Sequence, residues 1–258
     1  MICAGIDAGS RAIKVVLVDS ATRGMMANGI ADQGVEQTKL AERLLNDVLA
    51  ETGLGRGDVS RIVATGYGRN IVETADTTIT EITCHGRGVF KQVPEARTIV
   101  DIGGQDSKVL RLESGGAVRD FAMNDRCAAG TGRFLEVVAG RLGVEIEELG
   151  NLAERSRVPA TISSMCVVFA ETEIIGLLAS GTAPEDIVAG VQAAIAKRIN
   201  AMAGRNVEEP VFFTGGVALV PGMTEALEEA LGHPVRVAPN PQYTGAYGAA
   251  LIACEQIG

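Results

Sequence analysis

Residues 7–20 read DAGSRAIKVVLVDS and residues 101–114 read DIGGQDSKVLRLES, and the two stretches align without a gap. They share an aspartate, a glycine and a lysine, each 94 residues from its counterpart: Asp7 and Asp101, Gly9 and Gly103, Lys14 and Lys108. Such a repeat predicts a duplicated structural unit.

Each copy has the pattern of a β-hairpin. An apolar run ends in the aspartate, glycines follow, and a second apolar run returns. Each copy also has a later strand-like segment ending in Thr-Gly, IVATG at residues 62–66 and VFFTG at residues 211–215. The second of these lies much farther from its hairpin than the first, which predicts an insertion of helices between about residues 123 and 183.

Three segments have apolar residues at helical spacing, namely residues 36–52, 131–142 and 184–203. Thr131 is a candidate N-cap for the second, and Pro184 suits the first turn of the third. Strands and helices mixed in two related halves predict an α/β architecture with the ligand cleft between the halves.

Composition excludes several classes of function. Asp and Glu number 32 against 23 Lys and Arg, and the net charge of -9 argues against nucleic acid as the main partner, because phosphate contacts need clustered cations. Hydrophobic residues make up 47% of the chain, which excludes intrinsic disorder. No uncharged apolar run reaches about 18 residues and the start MICAGIDAGS lacks a secretory pattern, so we expect a cytoplasmic protein without a membrane partner.

Five widely spaced cysteines in a chain without an export signal make a disulfide framework improbable. We expect Cys3 and Cys254 to be core residues. Cys84 stands beside His85, a pair that suits a metal or a nucleophile, but no further ligand or base lies nearby in sequence, so we interpret Cys84 as structural.

A strand that ends in Asp and enters a glycine turn suits phosphate binding. Its backbone N–H groups can point at phosphate oxygens, and the carboxylate can hold Mg²⁺, usually through water. Two such hairpins would bind the β- and γ-phosphates of ATP from both sides, and TGGVA at residues 214–218 adds a third turn before a helix near residues 221–231. One turn alone is more typical of a plain hairpin; three in order, together with the repeat, favour a nucleotide site.

DAGS with Lys14, DIGGQD, TGGVA and YTGAYGAAL at residues 243–251 resemble the phosphate-1, phosphate-2, adenosine and connecting motifs of the superfamily of acetate and sugar kinases, heat-shock-70 ATPases and actin. The resemblance implies an actin-like (ribonuclease H-like) fold of duplicated domains with a nucleotide cleft between them. The domains would be residues 1–95 plus 242–258 and residues 96–241, the second carrying the insertion.

These motifs assign expected roles. Asp7 and Asp101 position Mg²⁺ and the attacking water as catalytic residues, and either Gln105 or Asp106 orients that water. Lys14 reaches the phosphates or is a strand residue facing solvent. The nucleotide-binding set is Gly9, Ser10, Lys14, Gly103, Gly104, Asp106, Gly215, Gly216 and Val217.

The insertion contains NDRCAAGTGRF at residues 124–134 and SSMCVVFAETE at residues 163–173. Cys127 precedes a helix expected near Thr131, and Cys166 opens another helix-like stretch, so both lie near helix N-termini, where a thiolate is favoured. Two thiols cannot complete a four-thiolate site, but a two-fold dimer brings four. By spacing alone, burial as small hydrophobic residues is the more typical fate of free cysteines.

Together with TGYGRN at residues 65–70, TEITCH at 80–85 and VDIGGQDSK at 100–108, these segments resemble the activator ATPases of 2-hydroxyacyl-CoA dehydratases, a BadF/BadG/BcrA/BcrD-type family that includes ATPase subunits of benzoyl-CoA reductase. The resemblance implies a homodimer that holds one 4Fe-4S cluster between its subunits, with Cys127 and Cys166 as ligands. It also implies ATP hydrolysis coupled to one-electron transfer from a ferredoxin or flavodoxin to a partner dehydratase or reductase.

Alternatives stay open at this point. The acceptor is a hydroxyacyl-CoA dehydratase, a benzoyl-CoA reductase or a double-cubane cluster protein. A small-molecule kinase of the same fold would need a sugar or acid pocket with a carboxylate base and no iron. A regulatory or scaffold ATPase would simply bury its cysteines.

Overall fold

The computed structural model describes residues 1–163 and 166–257. The chain divides into two compact units. The first unit comprises Met1–Ala96, Leu112–Arg119 and Gln242–Gly258, and the second comprises Arg97–Arg111 and Asp120–Pro241.

Strands and helices alternate along the described chain. The strands are β1 (Ile2–Ala8), β2 (Ala12–Asp19), β3 (Met25–Asp32), β4 (Val59–Thr65), β5 (Thr77–Thr78), β6 (Thr98–Ile102), β7 (Ser107–Leu112), β8 (Val118–Asn124), β9 (Val211–Thr214) and β10 (Val235–Val237). The α-helices are α1 (Gln37–Glu51), α2 (Glu81–Gln92), α3 (Gly132–Leu142), α4 (Ile146–Ala153), α5 (Val167–Ala179), α6 (Pro184–Ala203), α7 (Met223–Leu231) and α8 (Thr244–Glu255).

The two sheets repeat one topology. The first runs β3-β2-β1-β4-β5, and the second, read from the corresponding edge, runs β8-β7-β6-β9-β10. In each, the first strand is antiparallel to the second and parallel to the fourth. The predicted hairpins and the predicted duplication are therefore confirmed, as is the α/β class.

Alternation of side chains divides the core of the first sheet. Ala4, Ile6 and Ala8 of β1 pack with α1, whereas Cys3, one position out of phase with that face, packs with α8. This pattern follows from the period of two along a strand. The first sheet is thus covered by a helix on each face, and its central strand β1 is buried from Cys3 to Ala8.

The second sheet shares one large apolar cluster with the helices that follow it. Val100, Ile102 and Phe213 on the sheet pack with α3, α6 and α7. The helices predicted at residues 36–52, 131–142 and 184–203 are confirmed as α1, α3 and α6, with Pro184 in the first turn of α6. Each of these helices buries the apolar stripe from which it was predicted.

The greater length of the second unit lies between β8 and α6. The first unit passes from β3 to α1 in four residues, whereas α3, α4 and α5 stand at the corresponding point of the second. Every helix in residues 1–163 and 166–257 is too short or too polar to span a bilayer.

Cys3 and Cys254 form a disulfide, with Cα atoms 5.6 Å apart, so the expectation that no disulfide forms was wrong. The physical reason is the close packing of α8 on β1. Gly5 has no side chain, and a Cβ there would collide with the carbonyl of Ala246. The helix therefore approaches the strand closely enough for the two buried thiols to meet.

Candidate functional site

Asp7 lies one residue before the end of the buried strand β1 and is the centre of the first candidate site. Its neighbours across the sheet are Lys14 on β2 and Thr65 on β4. The Lys14 Nζ lies 3.4 Å from Asp7 Oδ2, with 18% and 9% of the two side chains exposed. Lys14 therefore faces the carboxylate, and the alternative that it points into solvent was wrong.

Asp101 occupies the same register position on β6. Lys108 on β7 places Nζ 3.3 Å from Asp101 Oδ2, and Thr214 on β9 donates from Oγ1 to Asp101 Oδ1 at 2.8 Å. Lys108 also lies 2.7 Å from Asp106 Oδ2. Sequence analysis missed Lys108 and Thr214 as site residues, although the repeat that aligns Lys108 with Lys14 carried the signal.

Carboxylate oxygens gather around Asp101. The Lys108 Nζ lies 3.3 Å from Asp101 Oδ2 and 2.7 Å from Asp106 Oδ2, and 2% of its side chain is exposed. Carboxylate oxygens are hard ligands of the kind that Mg²⁺ prefers. The donor set is therefore suited to Mg²⁺, held directly or through water.

The glycine turns beside the two aspartates lack room for side chains. A Cβ on Gly9 would lie 3.0 Å from Lys14 Nζ, and one on Gly103 would lie 2.6 Å from Asp106 Oδ1. The Gly103 N–H donates to the Asp106 carbonyl at 2.9 Å, and the Gly215 N–H donates to the Pro241 carbonyl at 2.9 Å. The N–H groups of Gly103 and Gly215 are thus hydrogen-bonded within the protein, and these bonds hold the shape of the two turns.

The predicted nucleotide residues fall into three turns. Gly9 and Ser10 lie between β1 and β2 in the first unit, and in the second unit Gly103, Gly104, exposed Gln105 and Asp106 lie between β6 and β7. Gly215, at φ +88°, Gly216 and Val217 follow β9, which pairs with β6. The structure therefore brings together the members of each turn.

Gly66 was not predicted as a site residue but closes on Asp7. It has φ +88°, and a Cβ there would collide with Asp7 Oδ1. The N–H of Gly68 donates to the Ala8 carbonyl at 2.8 Å. The segment TGYG therefore packs tightly against the end of β1, which only a residue without a side chain allows at Gly66.

Cys127 and Cys166 are the two free cysteines with solvent access, and both lie in the second unit. Cys127 is half-buried, and Asn124 holds its backbone on both sides, accepting from its N–H at 3.1 Å and donating to its carbonyl at 2.7 Å. Arg198 Nη1 lies 4.0 Å from its Sγ. Cys166 is exposed and is the N-cap residue of α5.

Cys84 differs from these two. It is fully buried, and burial raises the pKa of its thiol to about 12, so the thiol stays protonated at neutral pH and is a poor ligand or nucleophile.

In the described part of this single chain, no group of three or more His, Cys, Asp or Glu could hold a metal ion.

The first turn of α3 bonds to the turn between β6 and β7. The N–H of Gly132 donates to the Gly103 carbonyl at 2.9 Å, and the N–H of Arg133 donates to the Gly104 carbonyl at 2.8 Å. Cys127 lies shortly before this helix, as expected. A short 3-10 turn, Ala128–Gly130, stands between the cysteine and the helix, whose first N–H groups are used elsewhere.

Comparison with known proteins gives a consistent family assignment. The model of the BadF/BadG/BcrA/BcrD ATPase family matches residues 4–253. The chain is 43% identical to the 2-hydroxyisocaproyl-CoA dehydratase activator of Clostridioides difficile, over 98% of this chain and 94% of that protein. It is 41% identical to the (R)-2-hydroxyglutaryl-CoA dehydratase activating ATPase of Acidaminococcus fermentans, over 98% and 96%.

Among solved structures, the activator of the 2-hydroxyisocaproyl-CoA dehydratase from Clostridium difficile with bound ADPNP superposes with a TM-score of 0.93. The identity is 42%, and the match covers 99% of this chain and 95% of that one. The α/β fold is thus that of actin-like ATPases, as the motifs predicted.

Proposed function

The chain belongs to the BadF/BadG/BcrA/BcrD ATPase family, and from this premise we propose that it is an ATP-dependent electron-transfer activator. Two copies hold one 4Fe-4S cluster between them. Hydrolysis of ATP drives delivery of a low-potential electron from a ferredoxin or flavodoxin to a partner 2-hydroxyacyl-CoA dehydratase or a related reductase.

The observation that carries the proposal is the placement of Cys127 and Cys166. Cys3 and Cys254 form a disulfide and Cys84 is buried in the core. The other two of the five cysteines lie in the inserted segment and are accessible to solvent. A 4Fe-4S cluster needs four thiolates, and two such chains supply them. When bound, the cluster stores and releases one electron.

The surface beside Cys166 supports the homodimer. Helix α5 is apolar nearly all round, yet Val168, Phe169 and Ile175 are 66%, 69% and 47% exposed. A helix that is apolar on every side is normally buried, so an exposed one marks an interaction surface. A second copy seated on α5 would cover these side chains and bring its own thiols to the same place.

The aspartates supply the hydrolytic site. Asp7 and Asp101 would hold Mg²⁺ through water and position the attacking water, and Lys14 would direct its charge towards the phosphates. Lys108 and Thr214 fix the Asp101 carboxylate from two sides. Gln105, exposed at its turn, orients the water once nucleotide is bound.

The backbone bonds at the start of α3 support coupling between the nucleotide and the thiols. A nucleotide that shifts the Gly103–Gly104 turn pulls on α3, because the first N–H groups of that helix donate to this turn. Cys127 lies five residues before Gly132, joined through the hydrogen-bonded 3-10 turn. Raising one electron by about 200 mV costs about 4.6 kcal/mol, an amount that ATP hydrolysis can supply through such a movement.

The test is iron analysis of protein purified without oxygen. We expect brown protein with about four irons per two chains and an electron paramagnetic resonance signal after reduction. Cys127→Ser and Cys166→Ser should each lose the iron and keep ADP binding, whereas the matched control Cys84→Ala should keep both. Iron-free wild-type protein after anaerobic reconstitution would contradict the proposal and favour a kinase or scaffold ATPase.

A further inference from the structure

His85 is a buried polar residue that the hydrolytic site described above does not use. It lies on α2 with 7% of its surface exposed. Its ring Nδ1 is 2.9 Å from the hydroxyl of Thr244, which is fully buried at the start of α8. That hydrogen bond fixes the plane of the ring and leaves the Nε2 edge facing away from Thr244.

The Nε2 edge and the Asp7 carboxylate both lie beside Gly245. The place that a Cβ on Gly245 would occupy is 3.2 Å from His85 Nε2 and 3.4 Å from Asp7 Oδ2. The imidazole and the carboxylate therefore border the same small space. Asp7 Oδ2 is also the oxygen that lies 3.4 Å from Lys14 Nζ.

Close packing of α2 against α8 places the His85 imidazole inside the protein. A Cβ on Gly88 of α2 would collide with the Thr244 carbonyl, and a Cβ on Gly248 of α8 would collide with the Cys84 carbonyl. Two helices that meet through glycines approach backbone to backbone. His85, beside Cys84, is thereby held against the end of β1, where Asp7 lies.

We propose that His85 is a positioning residue for Asp7: Thr244 orients the imidazole, and Nε2 in turn holds the carboxylate, directly or through one water. Carboxylates that hold metal ions are commonly oriented by such a hydrogen-bonded partner. The inference rests on the proposed role of Asp7 in ATP hydrolysis. If His85 has this role, helices α2 and α8, which carry His85 and Thr244, contribute to the site in addition to the glycine turns.

Two conservative variants separate positioning from packing. In His85→Asn the amide reaches the position of Nδ1 and keeps the bond to Thr244, but not the reach to Asp7. In His85→Gln the longer side chain places its amide where Nε2 stood. If His85 positions Asp7, Gln restores function and Asn does not; if His85 only ties α2 to α8, the order reverses.

The measurement is steady-state ATP hydrolysis by the intact protein as a function of ATP and of Mg²⁺. For His85→Ala and His85→Asn we expect kcat to fall about tenfold, the KM for ATP to change by less than about twofold, and the Mg²⁺ concentration for half-maximal rate to rise. His85→Gln should recover most of the rate. Urea unfolding of each variant excludes loss of folded protein as the cause.

Gly245→Ala gives a second route if His85→Ala does not fold. Its methyl group enters the space between Nε2 and Oδ2, so the same fall in kcat is expected with His85 present. Asp7→Asn distinguishes the proposed role of Asp7 in hydrolysis from the proposed role of His85 in positioning it. Full hydrolysis by Asp7→Asn would contradict the proposed role of Asp7; loss in Asp7→Asn with full hydrolysis by His85→Ala would contradict only the positioning role of His85.

Discussion

The two lysines that the repeat aligns have different surroundings. Lys108 is 2% exposed and lies against both Asp101 and Asp106, whereas the Lys14 side chain is 18% exposed and lies against Asp7. Burial removes water that would otherwise screen a charge, so a buried ammonium group and its carboxylates depend on each other far more than an exposed pair. Lys108 and Lys14 therefore contribute different amounts to the free energy of unfolding, although they occupy equivalent positions.

Replacing Lys108 tests this difference. Lys108→Met should lower the free energy of unfolding by about 3 kcal/mol, because it removes a buried ammonium group that lies 3.3 Å from the buried Asp101 carboxylate. Lys14→Met is the matched control and should lower it by about 1 kcal/mol or less, since its site is partly solvated. Urea unfolding followed by circular dichroism measures both; equal losses would show that burial of Lys108 adds nothing.

At the scale of elements, the link between the β6–β7 turn and α3 depends on a missing side chain. A Cβ on Gly132 would lie 3.2 Å from both the Gly103 carbonyl oxygen and Val217 Cγ2. The start of α3 thus lies in close contact with both the β6–β7 turn and the turn after β9. A larger residue in place of Gly132 must therefore displace the start of α3, the β6–β7 turn or the turn after β9.

Gly132→Ala should therefore disturb coupling more than it disturbs folding. We expect a loss of about 1–2 kcal/mol in stability from the tight contact, and a smaller difference between the cluster's paramagnetic resonance spectra with ADP and with ATP. Gly140→Ala, on the same helix with no atom within 4 Å of its Cβ, is the control and should gain up to about 1 kcal/mol. An unchanged nucleotide response in Gly132→Ala would rule out this route of coupling.

Local patterns predicted the hairpins, the helices α1, α3 and α6 and the positions of Asp7 and Asp101, because strand alternation and helical spacing are properties of neighbouring residues. Contacts between distant residues were not predictable in this way. The bonds from Gly132 and Arg133 to the β6–β7 turn, the Cys3–Cys254 disulfide and the approach of His85 to Asp7 all arise from packing of elements far apart in sequence. Glycines mark several of these approaches, but one sequence does not say which partner each glycine meets.

At the scale of the whole molecule, duplication and insertion have separate consequences. Both units keep the strand order and the Asp–Lys pair, so each carries one of the two aspartates proposed for hydrolysis. Only the second unit carries α3, α4 and α5 and the accessible thiols of Cys127 and Cys166. One chain thus has a duplicated Asp–Lys arrangement but an unduplicated pair of accessible cysteines, and the second pair must come from another copy if a four-thiolate cluster forms.

A mixing experiment measures whether the cluster is shared. When wild-type chains and Cys127→Ser/Cys166→Ser chains are co-expressed in equal amounts and pair at random, about one quarter of the dimers have four thiols. Iron should then fall to about one quarter of the all-wild-type value, following the square of the wild-type fraction. A cluster held within single chains would instead fall linearly, to about half. Mixing wild type with Cys84→Ala is the control and should leave the iron content unchanged, since the buried Cys84 thiol is not a ligand in this arrangement.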